Sequence, residues 1–251
     1  MKKYYVNGLF LLMISTLLIS CGGKVVQKAA PSFEPYRFGA SKFAPKVDNF
    51  VVILDTSYSM SHTYGGTKKV EIAKGFLSAM NETLPELNYN GALITFGHDD
   101  SILRDYGPTR YSTSGFGSAL NATKEPRGNS SFPLATAINA AAGDLNSSQG
   151  QIAVIMVSDG ENMDQAPVAA AEALKSQFGE RLCIDTVLVG DNPAGKMTLE
   201  QIAKAGGCGT STTADQLASS ANMAGFVEAL FLAKPAPKTA QIGRASCRER
   251  V

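Results

Sequence analysis

Five apolar residues in succession, Phe50 to Leu54, carry no polar interruption and three of them are β-branched. That pattern predicts a short strand covered on both faces. Similar runs recur at Gly91–Gly97, Gln151–Ser158 and Leu182–Gly190. Between them the apolar period changes to that of amphipathic helices. Lys68–Leu84 sets Val70, Ala73, Phe76, Leu77, Met80 and Leu84 along one stripe. Pro133–Leu145 is Ala-rich with Pro near its first turn, Pro167–Phe178 repeats that start, and Thr198–Ala205 ends at Gly206-Gly207. Ser101–Tyr106 reads as a short edge strand, Thr210–Thr213 as a last strand, and Asp215 or Gln216 to Leu232 as the closing helix. Strands alternating with helices at this spacing imply an α/β fold, doubly wound, with a mostly parallel central sheet flanked by helices in three layers.

The chemistry concentrates where two of these strands end. Phe50–Leu54 runs into Asp55-Thr56-Ser57-Tyr58-Ser59, one carboxylate and two hydroxyls at alternate positions. Ile152–Ser158 runs into Asp159-Gly160-Glu161. Both lie at the carboxyl edge of the sheet, where open α/β folds bind ligands. In an extended segment alternate residues point the same way, so the oxygens of 55, 57 and 59 can converge. An all-oxygen set suits a hard cation such as Mg²⁺. The same residues also suit a Ser-rich turn or a helix N-cap. A loop at 128–134, Gly-Asn-Ser-Ser-Phe-Pro-Leu, can bring another hydroxyl to that edge.

With Asp55-x-Ser57-x-Ser59, Ser158-Asp159-Gly160 and this order of elements, the chain resembles the von Willebrand factor A domain over nearly all of Asp48–Leu232. The resemblance implies a metal-ion-dependent adhesion site holding Mg²⁺ or Mn²⁺. Ser57 and Ser59 would bind the ion directly, and Asp55 and Asp159 largely through water. The family's loop Thr has no direct counterpart, because Phe132 stands at its place; Ser131 is the choice for that ligand and Ser130 the fallback. The implied function is protein–protein interaction or adhesion through an acidic side chain of a partner, not catalysis. A haloacid dehalogenase-like phosphohydrolase would need a second Asp where Ser57 stands. His62 and His98 sit among polar or Gly neighbours and read as surface-loop residues.

The ends alter the accounting. Lys2 and Lys3 precede an apolar stretch, Gly8–Ile19, too short to span a bilayer. Leu18-Ile19-Ser20-Cys21 resembles a bacterial lipobox, so residues 1–20 read as a lipoprotein signal peptide and Cys21 as the acylated residue. Gly22 lacks the inner-membrane retention character of Asp, which points to the periplasmic face of an outer membrane. Residues 241–251 resemble an in-frame translation of a sequencing adapter, which places the authentic end near Ala240 and discounts Cys247. Five basic residues and one acidic residue fall in those ends, so the formal charge of +1 becomes about −3. No basic footprint remains, which argues against a nucleic-acid partner.

Residues 21–47, with Pro31, Pro35 and Pro45, read as a membrane tether. A Pro/Ala linker starts at 233–240. It resembles the one that precedes an OmpA-like peptidoglycan-binding domain in some bacterial von Willebrand A lipoproteins, and the alternative function is therefore a structural link from outer membrane to peptidoglycan. Cys183 and Cys208, each near the start of a predicted strand, are expected to form a disulfide in an oxidising compartment.

Overall fold

The computed structural model describes residues 28–39, 43–98, 101–127, 134–161 and 166–234. In chain order the elements are β1 (Ala44–Pro45), β2 (Asn49–Asp55), β3 (Thr63–Tyr64), β4 (Thr67–Lys68), α1 (Lys69–Thr83), β5 (Asn90–His98), β6 (Ser101–Arg110) and α2 (Thr113–Ala122). There follow α3 (Leu134–Leu145), β7 (Ile152–Ser158), α4 (Pro167–Phe178), β8 (Leu182–Leu188), α5 (Pro193–Ala205), β9 (Ser211–Thr213), α6 (Ser220–Phe231) and β10 (Leu232–Ala233). The main sheet has the order β6-β5-β2-β7-β8-β9. All its neighbours run parallel except the β5–β6 edge pair.

The unbroken apolar run of β2 explains its central place. Phe50, Val52 and Leu54 face one core with α1, α2 and α6 residues, while Val51 and Ile53 face a second with α3, α4 and α5 residues. All seven residues of β2 are buried, as are all seven of β7. A strand buried on both faces has no room for polar alternation, which is why these runs read so plainly. On the α1 side Phe50 packs edge-on against Tyr89, Tyr111 and Phe231, with ring centroids 5.3–6.2 Å apart.

Local signals account for the differences from the sequence-based elements. Helix α5 starts at Pro193 rather than Thr198, because the Asn192 side chain accepts from the Gly195 N–H and Pro193 takes a first-turn position. Helix α2 was not expected: Phe116 and Leu120 are its only buried residues, a stripe too sparse to stand out. Its start is fixed by Ser112, whose hydroxyl accepts from the Gly115 N–H at 3.2 Å.

The segment expected to be only a tether lies against the domain from Lys28 onward. Ala30 N–H donates to the Gly65 carbonyl at 3.1 Å, and the Phe33 ring meets Phe76 at 6.0 Å. Tyr36 N–H donates to Thr83 Oγ1 at 2.9 Å. β1 then pairs antiparallel with β10. Periodicity missed this because a strap docks one residue at a time and buries no continuous face. The leader at 1–20, Cys21 and the tail at 241–251 lie outside the described residues.

Cys183 and Cys208 are joined in a disulfide across 25 residues of sequence. Cys183 is in β8 and Cys208 precedes β9, its parallel neighbour, so the two chain segments are held side by side where their pairing begins. In the chain-entropy account a loop of this length contributes about 3.5 kcal/mol. Reduction should therefore lower unfolding stability by about that amount, read as a shift in the urea midpoint with and without reductant. A midpoint that does not move would contradict this role.

Candidate metal site

The centre of the sheet ends in two buried acids. Asp55 is the last residue of β2 and Asp159 follows the last residue of β7; they are 2% and 0% exposed. Because β2 and β7 are adjacent and parallel, their carboxyl ends lie at the same edge. Asp55 Oδ1 accepts the Ser57 N–H at 2.8 Å, and Asp55 Oδ2 accepts the Ser158 hydroxyl at 2.5 Å. Thr56 fastens the loop from the other side, its N–H and hydroxyl both donating to the Phe96 carbonyl at 2.8 Å.

The hydroxyls converge by a route other than the extended one. Four residues of strand would separate Asp55 from Ser59 by about 13 Å, too far to share one ion. Instead the chain enters a single 3₁₀ turn at Tyr58–Ser61, with Ser57 as its cap residue. The turn folds Ser59 back, so that the Ser57 and Ser59 hydroxyl oxygens lie 3.2 Å apart and Ser59 Oγ is 3.1 Å from Asp159 Oδ1. Two glycines make the close approach possible. At Gly97 (φ +96°) a Cβ would come within 2.6 Å of the Ser57 backbone, and at Gly160 (φ +69°) within 2.2 Å of Gly195 Cα. Both conformations are left-handed ones that side chains disfavour.

A lysine from the next element completes the cluster. Lys69, the first residue of α1, is 7% exposed; its Nζ lies 3.0 Å from Asp159 Oδ2 and 2.6 Å from Glu161 Oε1. Burial works against its charge, but the bonds to Glu161 and Asp159 outweigh this and hold Lys69 above the usual lysine range. Burial likewise works against the charge of Glu161, yet Lys69 holds that carboxyl below its usual range. Asp55 has no such cation among its hydrogen-bond partners. Burial, then the facing Asp159 carboxylate, push its carboxyl up to about 6 against the hydrogen bonds from Ser158 and Ser57.

The structure brings Asp55, Ser57, Ser59 and Asp159 together at one edge of the sheet. Ser130 and Ser131 lie outside the described residues. Lys69 and Glu161 were overlooked; the signal was a lysine opening an apolar helix beside a hairpin that returns to the Ser turn. His62 is exposed, as read from sequence. His98 is not a surface-loop residue: it ends β5, is 8% exposed, and its Nδ1 lies 2.8 Å from the Glu125 carbonyl.

Whether these residues suit a cation can be judged from their spacing. Ligands at right angles around Mg²⁺ at 2.0–2.1 Å are about 3 Å apart, close to the two oxygen separations found between Ser57, Ser59 and Asp159. The donors are all oxygen, and the described residues contain no group of three or more His, Cys, Asp or Glu fit to hold a metal. A cation here would thus rest on hydroxyls as much as on carboxylates, and the residues present fit a hard divalent ion.

A family model described as "von Willebrand factor type A domain" matches residues 49–227. No curated protein matches the chain. Among solved structures it is similar to a conserved hypothetical protein, BatB, from Bacteroides thetaiotaomicron, at 17% identity and a TM-score of 0.56, covering 72% of this chain and 96% of that one. It is similar to a von Willebrand factor type A protein from Catenulispora acidiphila at 16% identity and a TM-score of 0.54, over 82% of this chain and 51% of that one. The third is proximal thread matrix protein 1 from the mussel byssus, described with a zinc-occupied MIDAS motif. It matches at 19% identity and a TM-score of 0.55, over 82% of this chain and 48% of that one.

Two predictions follow from the charges. Replacing Lys69 by Met leaves Asp159 buried without its cation, so the metal-free protein should lose on the order of 3 kcal/mol of unfolding stability. Urea titration in chelator checks this, and an unchanged midpoint would show that the ion pair contributes nothing. The second concerns pH. Asp55 holds its proton more tightly folded, at about 6, than unfolded, at about 4. Its contribution to stability is therefore complete below pH 4 and is lost as pH rises through 6, by on the order of 2–3 kcal/mol. The wild-type protein in chelator should lose stability over that window relative to Asp55→Asn; parallel pH profiles would refute the assignment.

Proposed function

The chain belongs to the von Willebrand factor type A domain family, a family of protein-interaction modules, and from that premise we propose that it is a metal-dependent, non-enzymatic interaction module anchored in the cell envelope. Ser57 and Ser59 would hold Mg²⁺ or Mn²⁺ directly, with Asp55 and Asp159 behind them and a hydroxyl from Ser131 or Ser130 completing the set. A bound divalent ion would supply an open coordination position for an acidic side chain of the partner protein.

The observation that carries this reading is the convergence of the Ser57, Ser59 and Asp159 oxygens at 3.1–3.2 Å. Neutral hydroxyls leave most of an ion's charge uncompensated, which suits capture of a carboxylate. The hydroxyls of the described cluster are hydrogen-bonded to carboxylates, Ser59 to Asp159 and Ser158 to Asp55, and in this reading they serve to build the cation site rather than as nucleophiles. Ser57 also holds the place where a phosphohydrolase of the haloacid dehalogenase type would need its second Asp. Anchoring rests on the lipobox at Cys21, and outer-membrane placement facing the periplasm on Gly22.

Mg²⁺ or Mn²⁺ should raise the unfolding stability of the wild-type protein, by about 2.7 kcal/mol at a free concentration one hundred times the dissociation constant. Ser57→Ala, which removes one hydroxyl without unpairing a buried charge, should lose most of that gain. In pull-downs from envelope extract, capture should require the ion and fail for Asp55→Ala. Equal capture with and without metal would overturn the mechanism.

A further inference from the structure

The strap that precedes the domain places the incoming chain at the pole that carries the site. Lys28 lies at the same pole as the site: its Nζ is 3.0 Å from Asp215 Oδ1, just past the carboxyl end of β9, and 5.4 Å from the Tyr64 ring centroid. Tyr64 belongs to the β3–β4 hairpin that leads directly into Lys69, and its hydroxyl donates to Asp215 Oδ2 at 3.0 Å. From there the strap descends beside α1. It touches Gly65 through Ala30, Gly75 and Phe76 through Phe33, and Thr83 through Tyr36. It reaches the opposite pole at β1, against β10. The chain therefore enters the described body beside the site, and after α6 it leaves from the other end.

We propose that the metal-site pole faces the membrane, so that the partner's acidic residue is presented by a protein resident at the membrane surface. This rests on the reading of Cys21 as the lipidated residue. Cys21 and Lys28 are seven residues apart in the sequence, a span of at most about 25 Å when fully extended. Helix α1, with 15 residues, covers about 22 Å between the two poles. For the far pole to meet the lipid, the tether would have to run back along the whole of α1, which uses nearly all of its reach. With the site pole down, the same residues need no particular conformation. The surface around Ser57 and Ser59 is then within reach of membrane-bound proteins, and Lys234 leaves on the side away from the lipid, toward the peptidoglycan in the structural alternative.

The test uses the full lipoprotein in vesicles, in a Cys247→Ser background, with a fluorophore on Thr63→Cys at the site pole or on Ser147→Cys in the loop before β7 at the opposite pole. An acceptor is placed on the lipid headgroups. Transfer should be several-fold stronger from position 63 than from 147, and a twenty-residue Gly/Ser insert between Cys21 and Lys28 should abolish the difference. Flotation with the vesicles is measured in parallel for wild type and Cys21→Ser. Equal or reversed transfer in protein that floats would overturn the orientation while leaving the anchor intact. Failure of the wild type to float, or flotation of Cys21→Ser, would overturn the anchor itself and the orientation with it.

Discussion

Two carboxylates buried at adjoining strand ends are the constraint around which the rest of this structure is arranged. Asp55 and Asp159 are almost fully removed from water, and an ionised carboxylate in that position is costly unless paired or richly hydrogen-bonded. The structure answers the two differently. Asp159 receives the Lys69 ammonium, the Ser59 hydroxyl and the Glu161 N–H. Asp55 receives the Ser158 hydroxyl and the Ser57 N–H, but burial and the facing Asp159 carboxylate outweigh these bonds, so it holds its proton unusually well. The glycines at 97 and 160, the double hold of Thr56 on Phe96 and the placement of Lys69 at the first residue of α1 all serve to bring donors to those four oxygens.

That division has a chemical consequence. Lys69 divides its single positive charge between Asp159 and Glu161, so two carboxylates share one cation. Lysine suits this role because its ammonium is a compact charge on a flexible stem, able to lean toward Glu161 at 27% side-chain exposure. The hydroxyls of Ser57 and Ser59 would add ligands without adding charge. In the proposed reading, a site made this way would remain electrophilic with a divalent ion bound, whereas one built from four carboxylates would be satisfied by the ion alone.

Much of this was legible in the sequence, for identifiable reasons. β2 and β7 are buried on both faces, so their apolar runs had no alternative reading, and a polar residue ending such a run marks the sheet edge. The Cys183–Cys208 pair followed from the same logic applied to the other edge. What escaped were features whose signal is not periodic. The strap at 28–39 docks through isolated side chains such as Phe33. Helix α2 buries two residues, and Lys69 looks in sequence like any surface lysine at a helix start. The route by which Ser59 reaches the site was misread as an extended strand because spacing alone does not distinguish two residues on one strand face from two brought together by a tight turn.

The direction of a parallel sheet also settles where a chain can enter and leave. Every parallel strand places its carboxyl end at one pole, so the acids of β2 and β7 and the turn that follows β9 gather there together. A helix after such a strand must return to the other pole, and α6 does so before β10 closes against β1. A segment in front of β2 would ordinarily begin at the amino-end pole, far from the site. Here the strap first runs the length of α1, so the chain enters beside the site instead. Twelve described residues, 28–39, spent on that path have little value as core: Phe33 and Phe38 pack only at the margin of the α1-side cluster. Their physical effect is to separate the two ends of the body and to place the incoming end next to the cluster of Asp55, Ser57, Ser59 and Asp159.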